Sequence, residues 1–451
     1  MQQPDLDRRT LLKSGAGLSL LAALTPQALA QTPPRKPNVI IVLADDLGYG
    51  DVGSFGARMI RTPSLDRMAK EGARLTSFYA SANICTPSRA GLQTGRYPIR
   101  TGLAYQVIQP NDTNGLPQSE VTIAEALKPD YATALIGKWH LGHVAPFWPP
   151  TGQGYDTFFG LPYSHDMTPL GLYTSGPGVE LTKEDVDFRQ LTARFFERGL
   201  RFVEANHERP FFLVMALSAP HVPLNPHPDH TGESQAGAYG DVVQEIDANV
   251  GALLKRLKAL GLDKDTLVIV TSDNGPWFAG SAGPLRDRKG GAGWDGGYRV
   301  PFIARQPGAI PAGVVNDAIA MNIDLMPTIC AWTGKPLPAV TLDGKDISPL
   351  FRKRTARSPH DQLVLFNNEK VVGIRTQRWK LVTSSYYRTI EFPLEARGYS
   401  QLVDVQADPA EAYDVSALHP DVMKDMKARL DRARATFEPL GVRQVPAPAP
   451  G

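Results

Sequence analysis

Four oxygen-bearing side chains follow two apolar segments that lie far apart in the sequence. Asp45 and Asp46 end PNVIIVLADD, and Asp273 and Asn274 come near the end of DTLVIVTSDNG. Carboxylate and amide oxygens suit a hard cation, Ca²⁺ or Mg²⁺, and the sequence does not choose between the two. A turn or a helix cap would explain either pair alone, but the repetition favours a metal site.

Cationic and imidazole side chains form a second group of candidates. They are Lys138 and His140 in IGKWHLG, His221 in SAPHVPL and Lys289 in LRDRKGG. Each one alone is explained as a surface lysine or a loop histidine. Beside a divalent cation, however, together they would hold a tetrahedral oxyanion, phosphate or sulfate, by fixed positive charge.

Cys85 is one of two cysteines and stands at a predicted helix start in ANICTPSRAGLQTG. A helix N-terminus lowers the pKa of a thiol, which is consistent with a thiolate nucleophile. A soft thiolate nevertheless matches a hard cation poorly. A disulfide with Cys330 is a further alternative, although the apolar segment around Cys330 favours a buried thiol.

The segments that carry these residues predict an α/β fold. The two apolar runs, and PFFLVMALSAPH at 210–221, are typical of strands buried on both faces of a parallel sheet. Caps and apolar spacing predict helices over 62–72, 191–206 and 241–261. Strands alternating with helices indicate an α/β sandwich, whose ligands collect at the carboxyl ends of the strands.

The chain changes character after about residue 333. Proline, glycine and charge dominate the next stretch, which predicts a surface linker. Short alternating segments and a helix near 420–437 then predict a small antiparallel sheet domain with one helix. We therefore predict a catalytic domain at 31–350, a C-terminal subdomain at 351–440 and a disordered tail at 441–451.

The composition and the N-terminal residues indicate what the protein binds and where it is located. Lys and Arg total 48 against 46 Asp and Glu without a basic block, which disfavours nucleic-acid binding. Residues 1–30 contain DRRTLLK, a short apolar stretch and ALA at the end, which predict a cleaved twin-arginine signal peptide rather than a membrane anchor. We therefore expect a periplasmic or secreted bacterial protein.

Cys85-Thr86-Pro87-Ser88-Arg89 resembles the sulfatase signature C-x-P-S-R. VIIVLADDLGYGDVGSFG, YATALIGKWHLG, LPYSHD, SAPHVPL, TSDNG and GGYRVPFIARQPG resemble further family blocks in family order. LPYSHD brings the chain closest to the arylsulfatase A-like group of type I, formylglycine-dependent sulfatases. The resemblance implies an alkaline-phosphatase-like α/β sandwich, with a large mixed, mostly parallel sheet between helices, and a smaller C-terminal antiparallel sheet and helix domain.

The resemblance also implies a reaction and a cofactor. A maturation enzyme would oxidise Cys85 to Cα-formylglycine, and one hydroxyl of its gem-diol would attack the sulfur of a sulfate ester. Expulsion of sulfate would then re-form the aldehyde. The residues that would bind one Ca²⁺ together with residue 85 are Asp45, Asp46, Asp273 and Asn274.

The remaining roles follow from the same resemblance. Arg89 would stabilise the deprotonated diol oxygen, and His140 would take the proton of the second hydroxyl. The residues that would hold the sulfate are Lys138, His221, Lys289 and Ser164. His221 or Lys289 would protonate the leaving alcohol. The gap between Lys289 and the Asp295-Gly296-Gly297 element is one residue longer than is usual, which leaves Arg288 as an alternative to Lys289.

Two other functions stay open at this point. One is a phosphonate monoester or phosphodiester hydrolase that uses the same formylglycine site. The other is a non-catalytic protein that binds sulfated glycans, although such a protein would not require the complete catalytic set. For the sulfatase, we expect a small sulfate ester or a sulfated glycan as the substrate.

Overall fold

A computed structural model describes residues 35–387, 390–398 and 400–442 of the chain. The predicted signal peptide and residues 443–451 of the predicted tail lie outside these described residues. From Lys36 onward the described residues belong to one compact unit. The domain boundary near residue 350 therefore stays a prediction.

Strands and helices alternate over most of the described chain. The strands are β1 (Asn38–Ala44), β2 (Ala73–Leu75), β3 (Phe78–Tyr79), β4 (Ala132–Lys138), β5 (Thr157–Leu161), β6 (Leu172–Gly176), β7 (Val179–Glu184), β8 (Phe211–Ala216), β9 (Thr266–Ser272), β10 (Phe302–Arg305), β11 (Val314–Asn316), β12 (Ala320–Met321), β13 (Leu363–Asn367), β14 (Lys370–Arg375), β15 (Trp379–Val382), β16 (Ser384–Tyr387), β17 (Ile390–Pro393) and β18 (Gln401–Asp404). The helices are α1 (Pro63–Glu71), α2 (Cys85–Thr94), α3 (Ile123–Leu127), α4 (Leu191–Ala205), α5 (Gly237–Ala259), α6 (Asp295–Tyr298), α7 (Leu325–Thr333), α8 (Ser348–Arg352) and α9 (Pro420–Phe437).

The largest sheet has the strand order β11-β2-β10-β9-β1-β8-β4-β5-β6-β7. The central strands β9, β1, β8, β4 and β5 pair in parallel, and the antiparallel strands β10 and β6 flank them. This confirms the predicted mixed, mostly parallel sheet. The predicted strands at the two apolar runs and at 210–221 are β1, β9 and β8.

Strand β1 shows why the sheet needs helices on both faces. All of its residues are buried, and they alternate between two hydrophobic clusters. Ile40 and Val42 pack on the face covered by α1, α4 and α5, whereas Val39 and Ile41 pack on the face covered by α2, α3, α7 and α8. Because successive residues of a strand point to opposite faces, a continuous apolar run fits a sheet between two helix layers. The predicted helices at 62–72, 191–206 and 241–261 are α1, α4 and α5.

A smaller antiparallel sheet follows, with the strand order β13-β14-β15-β18. Leu430 and Phe437 of α9 pack in the same hydrophobic cluster as Leu365 and Ile374 of this sheet. This confirms the predicted C-terminal antiparallel sheet with one helix. The prediction of a surface linker before it is wrong in part, because this stretch contains the short helix α8, whose Leu350 and Phe351 are fully buried in the hydrophobic core.

Buried charges join the smaller sheet to the rest of the chain. Lys380 of β15 is fully buried and lies 2.6 Å from both Asp295 Oδ1 and Glu411 Oε1. Arg375 of β14 donates to the hydroxyl of Tyr79 at 2.9 Å, and this hydroxyl donates in turn to Asp295 Oδ2 at 2.9 Å. Asp295 therefore connects the first turn of α6 to two strands of the smaller sheet.

Both cysteines are free thiols and both are buried. Cys330 lies within α7 at zero exposure, as predicted for a core thiol. The disulfide alternative is wrong for this structure. Across the described ranges, the model has no helix that combines the length and the apolar character needed to cross a membrane.

Candidate active site

The carboxyl ends of adjacent parallel strands carry most of the predicted site. In the sheet order β9, β1, β8, β4 and β5, the strand ends and the loops that follow them supply Asp273 with Asn274, Asp45 with Asp46, His221, Lys138 with His140, and Ser164. Helix α2 adds Cys85 at its first residue and Arg89 one turn later. Parallel strands end at the same edge of a sheet, so residues far apart in sequence meet there.

The backbone at two of these strand ends lies in the left-handed region. Asp46 has φ 65° and His140 has φ 60°, a conformation that non-glycine residues seldom adopt. Gly137 has φ 120°, and a Cβ atom at this position would lie 1.8 Å from the carbonyl oxygen of Ala216. A side chain at residue 137 would therefore separate β4 from β8 just before Lys138.

The carboxylates of Asp45 and Asp46 each hold a lysine. Lys138 Nζ donates to Asp45 Oδ2 at 2.6 Å, and both side chains are fully buried. Lys289 Nζ donates to Asp46 Oδ2 at 2.8 Å, and Asn274 Nδ2 donates to Asp46 Oδ1 at 2.7 Å. The negative and positive candidates predicted from sequence therefore form one cluster.

The pKa values of the carboxylates separate because their surroundings differ. Burial would raise the pKa of Asp45, but Lys138, His221 and Arg89 outweigh it and hold that pKa well below its usual value. Burial raises the pKa of Asp273 to about 6, and the Asp45 carboxylate adds to the effect. Burial also raises the pKa of Asp46, against the opposing charge of Lys289. A bound cation would reduce the repulsion between carboxylates that lie this close together.

The donor set fits a hard divalent cation. Single ligand atoms of Asp45, Asp46, Cys85 and His221 all lie within 4.8 Å of one another. Asn274 Oδ1 is buried and, among the described residues, has no hydrogen-bond partner. A buried amide oxygen without a donor is costly unless a ligand satisfies it. The oxygens of Asp45, Asp46 and Asn274 are hard donors of the kind that Ca²⁺ takes, whereas the third predicted carboxylate, Asp273, lies outside this group and is held by Arg89.

Cys85 begins α2 beside the first carboxylate. Its Sγ lies 3.4 Å from Asp45 Oδ1, and its side chain is 2% exposed. Burial raises the pKa of this thiol far above its usual value, and the charge of Asp45 adds to the effect. The pKa lowering expected from the helix N-terminus is therefore wrong here, because desolvation outweighs the helix dipole. Cys85 is not poised as a thiolate.

Arg89 connects α2 to the ends of three strands. Its Nε donates to Asp273 Oδ2 at 2.9 Å, and its Nη1 donates to the carbonyl oxygen of Lys138 at 2.9 Å. Its Nη2 lies 2.8 Å from Asp273 Oδ2 and 3.6 Å from Asp45 Oδ1. The fixed fork of the guanidinium suits this bridging position.

The two predicted histidines are held by backbone carbonyls. His140 Nε2 lies 3.0 Å from the carbonyl oxygen of Ile108, and its buried Nδ1 has no partner within the described part of the chain. His221 Nδ1 contacts the carbonyl oxygen of Val222, which leaves Nε2 3.6 Å from Asp46 Oδ2. Burial lowers the pKa of both imidazoles, with Lys138 adding to it for each. Both rings are therefore neutral and able to accept a proton at neutral pH.

Ser164 and its neighbour His165 complete the buried polar groups. Ser164 Oγ and His165 Nδ1 are buried and lack partners among the residues that the structure describes. The ring centroids of His165 and His221 are 5.7 Å apart. His165 was not predicted as a site residue from the sequence, although it belongs to the LPYSHD segment.

The buried groups open into one cavity of about 700 Å³. Site residues that line it are Cys85, His140, Ser164, His221 and Lys289. Lys289, and not Arg288, contacts the carboxylates, since Arg288 stacks on the ring of Phe278 with its Cζ atom 4.8 Å from the centroid. Lys289 therefore reaches the carboxylate cluster even though the gap before Asp295 is longer than is usual.

Comparison with known proteins decides the family. The family model named Sulfatase matches residues 37–335, and a model of the C-terminal part of N-sulphoglucosamine sulphohydrolase matches residues 293–436. Human arylsulfatase A is 38% identical over 96% of this chain and 95% of its own length. The chain belongs to the sulfatase family. It is an arylsulfatase A-like member, and this family places it among the sulfuric ester hydrolases.

Other relatives of this sulfatase agree in sequence and in structure. Mouse steryl-sulfatase is 33% identical over 88% of this chain and 78% of its own length. The crystal structure of the PsFucS1 sulfatase from Pseudoalteromonas sp. superposes with a TM-score of 0.83 at 29% identity, covering 89% of this chain and 90% of that one. Ps i-CgsB in complex with k-i-k-neocarrahexaose gives a TM-score of 0.75 at 28% identity, covering 88% and 93%. The alkaline-phosphatase-like sandwich expected from sequence is thereby confirmed.

Proposed function

We propose that the protein hydrolyses a sulfate ester to an alcohol and inorganic sulfate, with a Cα-formylglycine gem-diol at position 85 as nucleophile and with one bound Ca²⁺. The observation that supports this proposal is the placement of Cys85, within C-x-P-S-R, against a buried cluster of carboxylates and lysines. The matched family and relatives are sulfatases, so a phosphonate monoester or phosphodiester hydrolase is not favoured.

In this proposal, the chain supplies oxygen ligands for the ion. The ligands are Asp45, Asp46, Asp273, Asn274 and modified residue 85. When bound, the ion would offset charge on the sulfuryl oxygens and favour the ionised diol. The unpartnered Oδ1 of Asn274 and the crowding of buried carboxylates support the assignment.

Arg89 and His140 would act on the two hydroxyl groups of the diol. Two carboxylates and a carbonyl oxygen hold the Arg89 guanidinium in place, and its positive charge would stabilise an oxyanion at position 85. His140 is neutral and has a free Nδ1 among the described residues, which suits a base that removes the second hydroxyl proton as sulfate leaves.

The sulfate itself would be bound by four side chains. They are Lys138, His221, Lys289 and Ser164. The ammonium groups of the lysines already face the carboxylate cluster, and Ser164 Oγ is a buried donor with no partner within the described ranges. Protonation of the leaving alcohol is assigned to Lys289 or His221, which both line the cavity. The ammonium of Lys289 carries a proton to donate, whereas burial favours the neutral ring of His221, which would first have to take one up.

Maturation and export complete the proposal. A formylglycine-generating enzyme would modify Cys85, and DRRTLLK near the N-terminus would direct the protein through the twin-arginine machinery to the periplasm or the medium. Twin-arginine transport carries folded proteins, so modification would precede export. The expected substrate is a small sulfate ester or a sulfated glycan.

Mass spectrometry of the tryptic peptide 75–89, from protein made in a host with the maturation enzyme, tests the nucleophile. We expect a mass about 18 Da below that of the unmodified peptide, since CH₂SH becomes CHO. The Cys85→Ala variant should show neither the modification nor hydrolysis of an aryl sulfate. An intact thiol in fully active enzyme would contradict the proposal.

A further inference from the structure

The loop that carries Lys289 spans residues 276–289, all of them described, and contains neither helix nor strand. Its two ends meet, because the backbone N–H of Lys289 donates to the carbonyl oxygen of Pro276 at 3.0 Å. Its middle lies against the loop 45–51 that follows β1, where the backbone N–H of Gly50 donates to the carbonyl oxygen of Ser281 at 2.9 Å. The position of the Lys289 ammonium therefore depends on contacts that this loop, the lysine loop, makes with other segments.

Asp51 accepts hydrogen bonds from three separate segments. It lies at the end of loop 45–51 and is 2% exposed. The backbone N–H of Ser281 donates to both of its carboxylate oxygens, at 3.1 and 3.0 Å. The hydroxyl of Tyr239 in α5 donates to Oδ2 at 2.6 Å, and the backbone N–H of Gly48 donates to the same oxygen at 3.1 Å. A local turn cap would account for the Gly48 bond alone, and not for the donors from the lysine loop and α5.

Both Tyr239 and Lys289 contact Asp46. The hydroxyl of Tyr239 lies 3.4 Å from the carbonyl oxygen of Asp46, and Lys289 Nζ donates to its Oδ2 at 2.8 Å. The lysine loop is therefore joined to loop 45–51 at two places, through the backbone of Ser281 at Asp51 and through the Lys289 ammonium at Asp46. Loss of the first contact would leave the ammonium at the end of a flexible side chain on a less constrained loop.

The two loops approach each other too closely for intervening side chains. A Cβ atom on Gly50 would lie 2.5 Å from the backbone nitrogen of Gly283, and one on Gly280 would lie 2.8 Å from Asp51 Oδ2. Glycine permits this approach of one backbone to another. The contact between the loops is therefore a close backbone packing around one buried carboxylate, and loss of an acceptor there leaves buried N–H groups unpaired.

From these contacts we propose that Asp51 is a positioning residue for Lys289. With Tyr239 as a second donor to its carboxylate, Asp51 holds the middle of the lysine loop against loop 45–51 and so keeps the Lys289 ammonium at the carboxylate of Asp46. Neither Asp51 nor Tyr239 is among the described residues that line the cavity, so both act through Lys289 and not on the substrate. The inference rests on the proposed function, in which Lys289 binds sulfate.

Asp51→Asn and Tyr239→Phe test this role in the modified, Ca²⁺-loaded enzyme. Asparagine keeps the size of the side chain but turns an amide N–H toward the donors, and phenylalanine removes only the hydroxyl. We expect kcat/KM for an aryl sulfate to fall about tenfold in each variant, because a binding group is displaced. In the Lys289→Ala background either substitution should change kcat/KM by less than about twofold, because the residue through which it acts is absent. Full activity of the single variants, or undiminished losses in that background, would overturn the inference.

Two matched controls lie outside the lysine loop. Asp247 in α5 is 3% exposed and accepts from the backbone N–H groups of Ser64 at 3.1 Å and Leu65 at 2.8 Å, at the start of α1. Tyr131 is buried, and its hydroxyl donates to the carbonyl oxygen of Pro37 at 2.9 Å. We expect Asp247→Asn and Tyr131→Phe to retain kcat/KM within about twofold, although each disturbs buried hydrogen bonds as the test variants do. Losses as large as those of the test variants would indicate a general effect of destabilisation and contradict the inference.

Hydrogen exchange separates this inference from the proposed function, because it needs neither formylglycine nor turnover. In the Ca²⁺-loaded chain, we expect the backbone N–H groups of residues 277–289 to exchange about tenfold faster in Asp51→Asn and in Tyr239→Phe than in wild type. In Asp247→Asn, faster exchange should appear at the start of α1 instead. This pattern supports the inference even if the enzyme hydrolyses no sulfate ester, a result that would contradict only the proposed function. Unchanged exchange over 277–289 in Tyr239→Phe, which removes a single oxygen atom and should fold normally, would overturn the inference.

Discussion

Arg89 illustrates how much one buried residue does in this protein. Its guanidinium bridges Asp273, Asp45 and the carbonyl of Lys138, and its side chain is 2% exposed. A lysine carries the same charge but only one donor centre, so it cannot contact all of these groups at once. The residue therefore couples the first turn of α2 to the strand ends.

We expect Arg89→Lys to lower kcat/KM for an aryl sulfate about 100-fold, because an oxyanion at position 85 loses a fixed donor. The variant should also lose about 3 kcal/mol of unfolding free energy, since Asp273 keeps a buried, poorly paired charge. Kinetics and urea unfolding measure the two effects. Arg96→Lys, near the end of the same helix and paired with Glu120 at 2.7 Å, is the control and should retain activity.

At the scale of elements, α6 depends on the smaller sheet. Asp295 lies in the first turn of α6 and accepts from Lys380 of β15, while its backbone N–H donates to Glu411 Oε2 at 2.7 Å. The backbone N–H of Gly296 donates to the carbonyl of Arg286 at 2.8 Å. The smaller sheet thus fixes one end of the segment that carries Lys289.

Lys380→Met should therefore destabilise the protein strongly. It would leave two carboxylates, those of Asp295 and Glu411, buried beside an apolar side chain, which costs about 3–5 kcal/mol. Thermal or urea unfolding would show this loss. Arg378→Met in the turn between β14 and β15 removes an exposed ion pair with Asp404 and should leave the unfolding midpoint nearly unchanged. Similar midpoints for the two variants would argue against the role of the buried network.

Glu411 gives this network a dependence on pH. Burial raises its pKa to about 7 from a usual value of 4.5, against the charge of Lys380. As pH rises from 4.5 to 7, the unfolded chain releases the proton while the folded chain retains it, so the contribution of Glu411 to stability falls through this interval. Glu411→Gln removes this loss, and its unfolding free energy relative to wild type should increase between about pH 5 and pH 7. Glu208 has a side chain that is 88% exposed, so the unfolding free energy of Glu208→Gln should change with pH in the same way as that of wild type.

At the scale of the whole molecule, the central sheet brings buried carboxylates to one edge. Asp45 and Asp46 end β1, and Asp273 follows the neighbouring strand β9 in register with it. Repulsion at this edge opposes the packing of the entire sandwich, and the lysines offset only part of it. A bound divalent cation is therefore expected to stabilise the folded chain as well as to support hydrolysis.

Removal of the ion tests this expectation. Chelation should abolish hydrolysis and lower the unfolding temperature by a few degrees, since an ion at 100 times its dissociation constant contributes about 2.7 kcal/mol. Ca²⁺ should restore both properties more fully than Mg²⁺, because a site of several carboxylates suits the larger ion. The Asp273→Asn variant should show a smaller response to added Ca²⁺. An unchanged melting curve after chelation would contradict the expectation.

The sequence alone determined the sandwich, its smaller sheet and most members of the buried cluster. Continuous apolar runs require a parallel sheet covered on both faces, and residues that follow such strands must meet at its edge. Alternation after residue 370 likewise predicted the antiparallel sheet. The C-x-P-S-R block and the further blocks in order then indicated the family.

Tertiary structure alone decided the environment of each residue and the shape of the cavity. Position at a helix start suggested a low pKa for the Cys85 thiol, but only packing shows that burial raises it. The spacing near Asp295 left Lys289 and Arg288 as alternatives for the contact with sulfate, and only the structure shows that Lys289 lies against Asp46 whereas Arg288 lies over Phe278. The lining of the cavity carries no local signal in the sequence, because it is formed by loops remote in sequence. Desolvation and loop geometry depend on contacts between distant segments, which a linear pattern does not contain.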